Sequence, residues 1–402
     1  MTTTPTSRRG LFRAASAGLA AGLLPGTARA AEPMVRGTGD LGLIVERATG
    51  SLLLVDTTAR SVLARIDGLG DMSHASLVYD RSERWAFVFG RDGGLTKVDL
   101  LTASIVKRVV QGGNAIGGAI SDDGKLVAVS NYKPGGVRVF DAETLEMLAD
   151  VPAIDRRGAP SKTVGLVDLP FRTFAWSLLD GDEIWIGDFT DARAPKLTKY
   201  PDIGRLPYDG VATSDGRWYI AGLFGEDALT RLDLWTDGAK PEKVLAGYGK
   251  GAEPLPVYKM PHMEGWGSAG DLLLMPAVAH HEVLAVDRNS FREVGRIAVH
   301  GQPVFCVARP DGRQVWVNYA HPHNDTVEVI DVPSLKVVHS FKPGPAVLHL
   351  EFSPRGHEVW ISVRDENRID IHETKTFTKI GEIAAKSPSG IFFTPRAHRL
   401  GV

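Results

Sequence analysis

The chain has 402 residues, of which 43% are hydrophobic, and a formal net charge of -2 at pH 7. This composition supports a large apolar core, and the near-neutral charge without a basic, aromatic-rich run argues against nucleic acid as a partner. The single cysteine, Cys306, excludes an internal disulfide and lies in an apolar stretch typical of a buried, inert thiol.

The first 30 residues predict an export signal. Arg8 and Arg9 form a twin-arginine motif, an apolar stretch follows at 14–24, and Ala28-Arg29-Ala30 is a cleavage site. The apolar stretch is shorter than the roughly 20 residues that a spanning helix needs. We therefore expect a twin-arginine signal peptide at 1–30, one mature domain at 31–402, no membrane span and a periplasmic protein. Whether a cofactor is loaded before export stays open.

One hairpin pattern recurs along the mature chain and is clearest at Asp325–Phe341. Short alternating strands flank a turn that begins at an acid, in the order Asp56, Asp99, Asp141, Asp233, Asp287, Asp331 and Glu373. These acids are 42 to 54 residues apart except for one gap of 92, which predicts a degenerate unit near Glu183–Ile203. A period of about 40–45 residues with several short strands is typical of a β-propeller. The sequence therefore predicts an all-β, eight-bladed β-propeller.

The two ends of the chain are expected to share one blade. Leu41–Glu46 and the hairpin at Ser51–Ile66 supply three strands, and Gly390–Thr394 supplies the fourth. Such a composite blade closes the ring and leaves no free sheet edge. Two insertions rich in Pro and Gly, Ala153–Leu169 and Asp237–Met263, are expected to form loops.

Candidate functional residues precede the predicted innermost strands, where a propeller has one mouth of its central channel. The ring of candidates is His74, Asn114, Arg172, Tyr208, His262, Gln302 and His349. Histidines from distant units fit a planar, metal-bearing cofactor better than a bare ion, with one axial histidine and arginines on peripheral carboxylates. The chain contains no C-x-x-C-H motif and no G-x-G-x-x-G motif after a strand, so neither a c-type haem nor a dinucleotide site is predicted.

Several stretches resemble the d1-haem propeller of cytochrome cd1 nitrite reductase, namely Val88–Leu100, Asn131–Glu146 and Gly356–Val363 together with His74. Without a cytochrome c domain, the chain is similar to the d1-haem biosynthesis proteins that have this propeller alone. The resemblance implies binding of d1-haem or a late precursor, such as dihydro-d1-haem, an iron isobacteriochlorin. It also implies final modification of that molecule or its delivery to cytochrome cd1 nitrite reductase during denitrification. That reductase and other d1-haem maturation proteins would be the partners.

The resemblance also assigns roles to residues. His74 corresponds to the axial iron ligand, and Arg91 and Arg172 to contacts with macrocycle carboxylates. Asn114, Tyr132 and His349 complete the expected binding residues, and Tyr208 and His262 fall on the distal face. Tyr208 stands where the reductase has a histidine, and a tyrosine of pKa ~10 is a poor proton donor at neutral pH. Nitrite reduction is therefore not expected, and His262 is the expected proton-transfer residue, with Tyr208 beside it.

Three functions remain open from the sequence. The chain could carry an iron macrocycle, or it could be an oxidoreductase that dehydrogenates a macrocycle side chain, although no nicotinamide or flavin site is evident. The third function is a cofactor-free scaffold for the maturation of nitrite reductase. The polar ring argues against the scaffold, because a scaffold needs no inward-facing histidine or arginine.

Overall fold

The computed structural model describes residues 37–247, 266–277 and 280–399, and the described residues from Gly37 onward belong to one compact unit. The expected signal peptide and His262 lie outside the described residues. Within the described ranges, no helix has both the length and the apolar character needed to cross a bilayer.

The described strands form eight four-stranded antiparallel sheets, which we number as blades in chain order. Blade 1 contains β1 (Leu41–Glu46), β2 (Ser51–Asp56), β3 (Ser61–Ile66) and β32 (Pro388–Phe393). Blade 2 contains β4 (Ser76–Tyr79), β5 (Trp85–Phe89), β6 (Gly94–Asp99) and β7 (Ser104–Val110). Blade 3 contains β8 (Asn114–Ile120), β9 (Leu126–Lys133), β10 (Gly136–Asp141) and β11 (Met147–Val151). Blade 4 contains β12 (Thr163–Leu169), β13 (Thr173–Leu178), β14 (Glu183–Asp188) and β15 (Lys196–Tyr200).

The second half of the ring repeats this arrangement. Blade 5 contains β16 (Pro207–Ala212), β17 (Trp218–Leu223), β18 (Ala228–Asp233) and β19 (Glu242–Val244). Blade 6 contains β20 (Gly267–Ala269), β21 (Leu272–Ala277), β22 (Glu282–Asp287) and β23 (Glu293–Ala298). Blade 7 contains β24 (Pro303–Ala308), β25 (Gln314–Tyr319), β26 (Val327–Asp331) and β27 (Lys336–Phe341). Blade 8 contains β28 (Val347–Phe352), β29 (Glu358–Val363), β30 (Arg368–Glu373) and β31 (Lys379–Ala384). Short 3₁₀ turns lie at Thr38–Asp40, Arg364–Glu366 and Thr394–His398.

The predicted eight-bladed propeller is confirmed, including its composite blade. The C-terminal strand β32 pairs with β1, so that Gly42 lies opposite Phe393 and Ile44 opposite Ile391. The degenerate unit is also present, as β14 and β15 of blade 4. Ring closure therefore depends on pairing between the two ends of the described chain.

The turn acids explain why the hairpin recurs. The Asp56 carboxylate accepts the backbone N–H of Ala59 at 2.7 Å, and the Asp141 carboxylate accepts that of Thr144 at 2.7 Å. Asp188 does the same for Thr190 at 2.8 Å, and it is the acid of the degenerate unit. Each carboxylate satisfies a turn N–H that the strands leave unpaired, which fixes the turn that follows the third strand of the blade.

Apolar side chains between neighbouring blades form the core. Trp316 on the second strand of blade 7 is fully buried and packs against Phe341, Phe352 and Phe377 with ring centroids 5.8–6.0 Å apart. Two of these rings, Phe352 and Phe377, belong to blade 8. Such contacts bind one blade to the next and keep the innermost strands around a central channel.

The alternation of strands gives the propeller two distinct ends. Innermost strands begin at the end that we call the entry end, which also carries the turns between second and third strands. The opposite end, the far end, carries the turns between first and second strands. Side chains that follow β5 or β9 therefore share the entry end with those that precede β4 or β24.

Candidate functional site

A cavity of ≈ 350 Å³ occupies the central channel. The described residues that line it come from seven of the eight blades and include His74, Ile116, Val164, Tyr208, Phe305 and His349. The volume lies in the range of about 300–1,000 Å³ that is common for ligand sites, and the wall combines apolar side chains with polar and charged ones. The channel is therefore the candidate binding site.

The structure brings three of the predicted residues together on this channel, namely His74, Tyr208 and His349. His74 precedes β4, as expected, and it is exposed. Tyr208 and His349 differ from the expectation, because they lie within β16 and β28 rather than in the loops before them. The innermost strands begin earlier than the sequence indicated.

Asn114 and Gln302 lie at the entry ends of β8 and β24. Each has a buried side-chain oxygen with no hydrogen-bond partner among the described residues. Ser76, which lines the channel, likewise has a buried hydroxyl without a described partner. Buried polar atoms of this kind are normally satisfied, so they indicate a site that a ligand or water completes.

Arg172 lies at the other end of the propeller, which contradicts its predicted place in the ring. It lies in the turn between β12 and β13, and its Nε donates to the Asp123 carboxylate at 2.8 Å in the corresponding turn of blade 3. The prediction failed because the stretch before Thr173 was read as a loop that enters an innermost strand. In the structure, β12 is the innermost strand and the turn after it faces the far end.

Arg91 and His74 are held close together at the entry end. The Arg91 backbone N–H donates to the Asp71 carbonyl at 2.8 Å, which ties the turn after β5 to the loop that carries His74. Hydrogen bonds from Ser73 are the main cause of the lowered pKa of Asp71, and the charges of Arg91 and Arg47 lower it further. The Asp71 carboxylate therefore lies within the electrostatic influence of both guanidinium groups, and of the two only Arg47 is among the residues that line the channel.

Arg47 lines the channel, although the sequence analysis did not identify it as a candidate. It follows β1 in blade 1. Burial and then repulsion from Arg364 lower the pKa of Arg47, whereas Asp71 raises it. Arg47 therefore contributes a guanidinium group to the channel lining, and a guanidinium group can bind an anionic substituent.

Tyr132 lies behind the channel wall and contacts two of the candidate residues. Its hydroxyl donates to the Tyr208 hydroxyl at 3.0 Å, and the Arg91 guanidinium carbon lies 5.6 Å from the centre of its ring. Burial and the bond to Tyr208 raise the pKa of Tyr132. Tyr132 therefore stays a neutral donor that orients Tyr208.

β-Bulges turn the innermost strands toward the channel. The register of β8, β12, β16, β24, β28 and β32 each shifts against its neighbour. In blade 3 the Ser130 hydroxyl donates to the Gly117 carbonyl at 3.1 Å. In blade 7 Asn318 accepts the Phe305 N–H at 3.0 Å. Bulges re-aim side chains and are frequent next to functional sites.

A sequence signal exists for four of these bulges. A buried small polar residue lies within the second strand of blades 3, 4, 7 and 8, at Ser130, Ser177, Asn318 and Ser362. The second strand of blade 2, Trp85–Phe89, has no such residue, and its partner β4 keeps a regular register. Blade 5 departs from this pattern, because its second strand, Trp218–Leu223, has no such residue although β16 shifts its register. In blades 3, 4, 7 and 8 the buried polar residue offers the innermost strand an alternative to regular pairing.

An ion pair lies beside the channel near its far end. Arg396, in the 3₁₀ turn after β32, donates two hydrogen bonds of 2.9 and 2.7 Å to the Glu351 carboxylate on β28. Burial alone would raise the pKa of Glu351, but the charge and hydrogen bonds of Arg396 hold it below its ordinary value. The C-terminal turn therefore contributes a charged side chain to the channel lining.

These features fit a flat, apolar ligand with acidic substituents. Glycines at positions 117, 118, 165 and 390 keep parts of the wall free of side chains. A side chain at Gly117 would have only the Ser76 and Ser130 hydroxyls nearby, at 3.8 and 4.0 Å, so the glycine leaves room in the channel.

Among the residues described, no group of three or more His, Cys, Asp or Glu is arranged to hold a bare metal ion. Cys306 is buried, and its burial raises the pKa of the thiol.

Comparisons with known proteins agree with this geometry. The family model of the Cytochrome D1 heme domain matches residues 36–397. Protein NirF of Pseudomonas aeruginosa is 54% identical over 373 residues, which cover 92% of this chain and 95% of that protein. Protein NirF of Stutzerimonas stutzeri is 53% identical over 385 residues, which cover 95% of this chain and 98% of that protein.

A solved structure has the same fold at lower sequence identity. The dihydro-heme d1 dehydrogenase NirN, determined in complex with DHE, superposes with a TM-score of 0.79 at 20% identity. The match covers 92% of this chain and 78% of the NirN chain. At this identity the likeness concerns the fold of the propeller.

Proposed function

The chain belongs to the cytochrome d1 haem domain family, and on that premise we propose that it binds a late d1-haem precursor in the central channel. Family membership and the similarity to NirF proteins connect the chain with d1-haem biosynthesis. The finer proposal is that it holds dihydro-d1-haem or d1-haem for final modification or for delivery to cytochrome cd1 nitrite reductase.

The observation that supports the proposal most directly is the combination of groups on one channel. The exposed His74 and Arg47 line the channel together with apolar side chains such as Ile116, Val164 and Phe305. Arg91 is not among the lining residues, but its backbone is tied to the loop that carries His74. Imidazole is a common axial ligand of haem iron, and guanidinium groups bind carboxylates with two parallel hydrogen bonds. The apolar wall would cover the faces of the ring.

Each residue has a specific role in this proposal. His74 would bind the iron, and Arg47 and Arg91 would bind carboxylates at the edge of the macrocycle. Tyr208, oriented by Tyr132, would donate a hydrogen bond from another blade. When bound, the precursor would supply an iron centre and a conjugated ring capable of redox chemistry. The protein would position that ring and restrict its access to water.

The test is visible absorption of the purified protein mixed with dihydro-d1-haem or d1-haem. We expect a shifted, saturable spectrum that the Arg172→Ala variant also gives, because Arg172 lies at the far end. A free-macrocycle spectrum at all protein concentrations would overturn the proposal and favour the cofactor-free scaffold.

We also propose a periplasmic location, reached by the twin-arginine route, from the motif at Arg8 and Arg9. Replacing both with lysine should prevent export, whereas replacing Arg13 alone with lysine should not. Cell fractionation measures this. Export that continues without the arginine pair would contradict the proposed route.

A further inference from the structure

His349 is held on the channel wall by a backbone group of the neighbouring blade. The N–H of Ile391 on β32 donates to Nδ1 of His349 on β28 at 3.2 Å. A backbone N–H can only donate, so Nδ1 must carry a lone pair. In a neutral imidazole the proton then resides on Nε2, the other ring nitrogen.

Two aromatic rings fix the plane of this imidazole. Phe305 on β24 lies 5.7 Å from the His349 ring with an interplanar angle of 75°, and Phe392 on β32 lies 5.6 Å away at 33°. All three side chains line the channel. Rotation of the imidazole would break the bond from Ile391 and disturb both ring contacts.

The backbone that carries His349 is shaped by Ser362. The Ser362 hydroxyl, which is fully buried on β29, accepts hydrogen bonds from the N–H groups of Leu348 at 3.2 Å and His349 at 2.8 Å. These contacts lie inside the register shift of β28 between Val347 and Leu350. The hydroxyl replaces the regular strand partner at the bulge, so the bulge turns His349 toward the channel.

We propose that His349 acts as a hydrogen-bond donor through Nε2–H, that it does not bind iron, and that Ser362 is its positioning residue. Iron binding through Nε2 would move the proton to Nδ1, where it would oppose the Ile391 N–H. The acceptor on the ligand would be an oxygen of a carbonyl or a carboxylate. The identity of this acceptor rests on the proposed binding of the macrocycle, whereas the tautomer of His349 and its dependence on Ser362 do not.

The first experiment uses the ligand-free full chain. Nitrogen-15 NMR of histidine-labelled protein distinguishes the two tautomers, and the His349→Gln variant identifies the signal by its loss. We expect the neutral Nε2–H form in the wild type. In Ser362→Ala the His349 signal should shift or broaden, whereas Ser121→Ala, which removes a buried hydroxyl at the far end, should leave it unchanged. An Nδ1–H tautomer, or an unchanged signal in Ser362→Ala, would overturn the assignment.

The second experiment measures binding of d1-haem. Loss of one hydrogen bond by His349→Leu predicts about 2- to 13-fold weaker binding for a carbonyl acceptor and roughly 10- to 100-fold for a carboxylate acceptor. His349→Gln, which keeps an N–H donor, should recover most of the affinity, and both spectra should keep the axial-ligand bands of the wild type. Loss of those bands would identify His349 as an iron ligand and refute the proposal. If the wild type binds no macrocycle, the proposed function fails, and so does the proposed hydrogen bond from His349 to the ligand. The NMR result still decides the tautomer of His349.

Discussion

The hydroxyl of Tyr132 lies 3.0 Å from that of Tyr208, although the two residues belong to blades 3 and 5. Tyr132 is the donor, and its ring also lies beneath the Arg91 guanidinium of blade 2. One side chain behind the wall therefore contacts two residues that we place in contact with the ligand. Tyr132 does not line the channel in the described structure, so its influence on a ligand would pass through its neighbours.

Replacement of Tyr132 by phenylalanine should weaken d1-haem binding modestly. The ring under Arg91 remains, but Tyr208 loses its donor, which corresponds to about 0.5–1.5 kcal/mol. Isothermal titration calorimetry or a spectroscopic titration measures the loss of affinity for d1-haem. The double variant with Tyr208→Phe should add little to the single change at Tyr208, because the two hydroxyls act together. Fully additive losses would show that Tyr132 does not act through Tyr208.

Arg91 and Arg47 should each contribute to ligand affinity, and Arg172 should not. A charge-assisted hydrogen bond contributes about 1.5–3 kcal/mol, so alanine at position 91 or 47 should weaken binding roughly 10- to 100-fold. Lysine should restore only part of this, since it lacks the planar fork. Arg172→Ala is the matched control, because its partner Asp123 lies at the far end. Wild-type affinity in both the Arg91 and Arg47 variants would contradict the proposed contacts between these arginines and the macrocycle carboxylates.

His74→Ala should abolish the axial-ligand bands of the loaded protein. The prediction follows from the exposed position of His74 on the channel and from the affinity of imidazole for haem iron. His357→Ala removes an exposed histidine from the turn between β28 and β29 at the far end and serves as the control. Absorption and electron paramagnetic resonance spectra measure the change. An unaltered spectrum in His74→Ala would mean that a group other than His74 binds the iron.

The fold was predictable because its signals are local. Each hairpin carries its own acid and its own alternation, so the repeat could be read from Asp56 to Glu373 without knowledge of tertiary contacts. The channel residues were harder to predict, since their direction depends on bulges that a regular period of two cannot represent. Arg47 was missed because candidates were sought only before the innermost strands, whereas Arg47 lies in the turn between the second and third strands of blade 1. Arg172 was misplaced because one loop was assigned to the wrong end of blade 4.

The ion pair between Arg396 and Glu351 should stabilise the closed ring. The Glu351 side chain is 3% exposed and belongs to β28, whereas Arg396 follows β32 of the composite blade. Removing one partner of a buried pair costs about 3–5 kcal/mol, because the other charge stays buried. We therefore expect a large fall in the urea midpoint of unfolding for Arg396→Ala at pH 7. Arg296→Ala, which removes partly exposed pairs with Glu293 and Glu282, should cost less than about 1 kcal/mol.

The same pair predicts a specific pH dependence. Arg396 holds the pKa of Glu351 below its ordinary value, so the carboxylate stabilises the wild type above about pH 4.3, the ordinary glutamate pKa. That contribution is lost as the pH falls toward the lowered pKa of the folded state. In Arg396→Ala the charges of Arg399 and His349 still lower the pKa of Glu351, but burial is the largest influence and Arg396 no longer offsets it. The pKa of Glu351 should therefore rise, so that acid relieves the unpaired charge by protonation. The stability difference between wild type and variant should therefore shrink from pH 7 to about pH 4.5, measured by urea unfolding at each pH. An equal difference at both pH values would mean that Arg396 stabilises the ring through packing rather than through its charge.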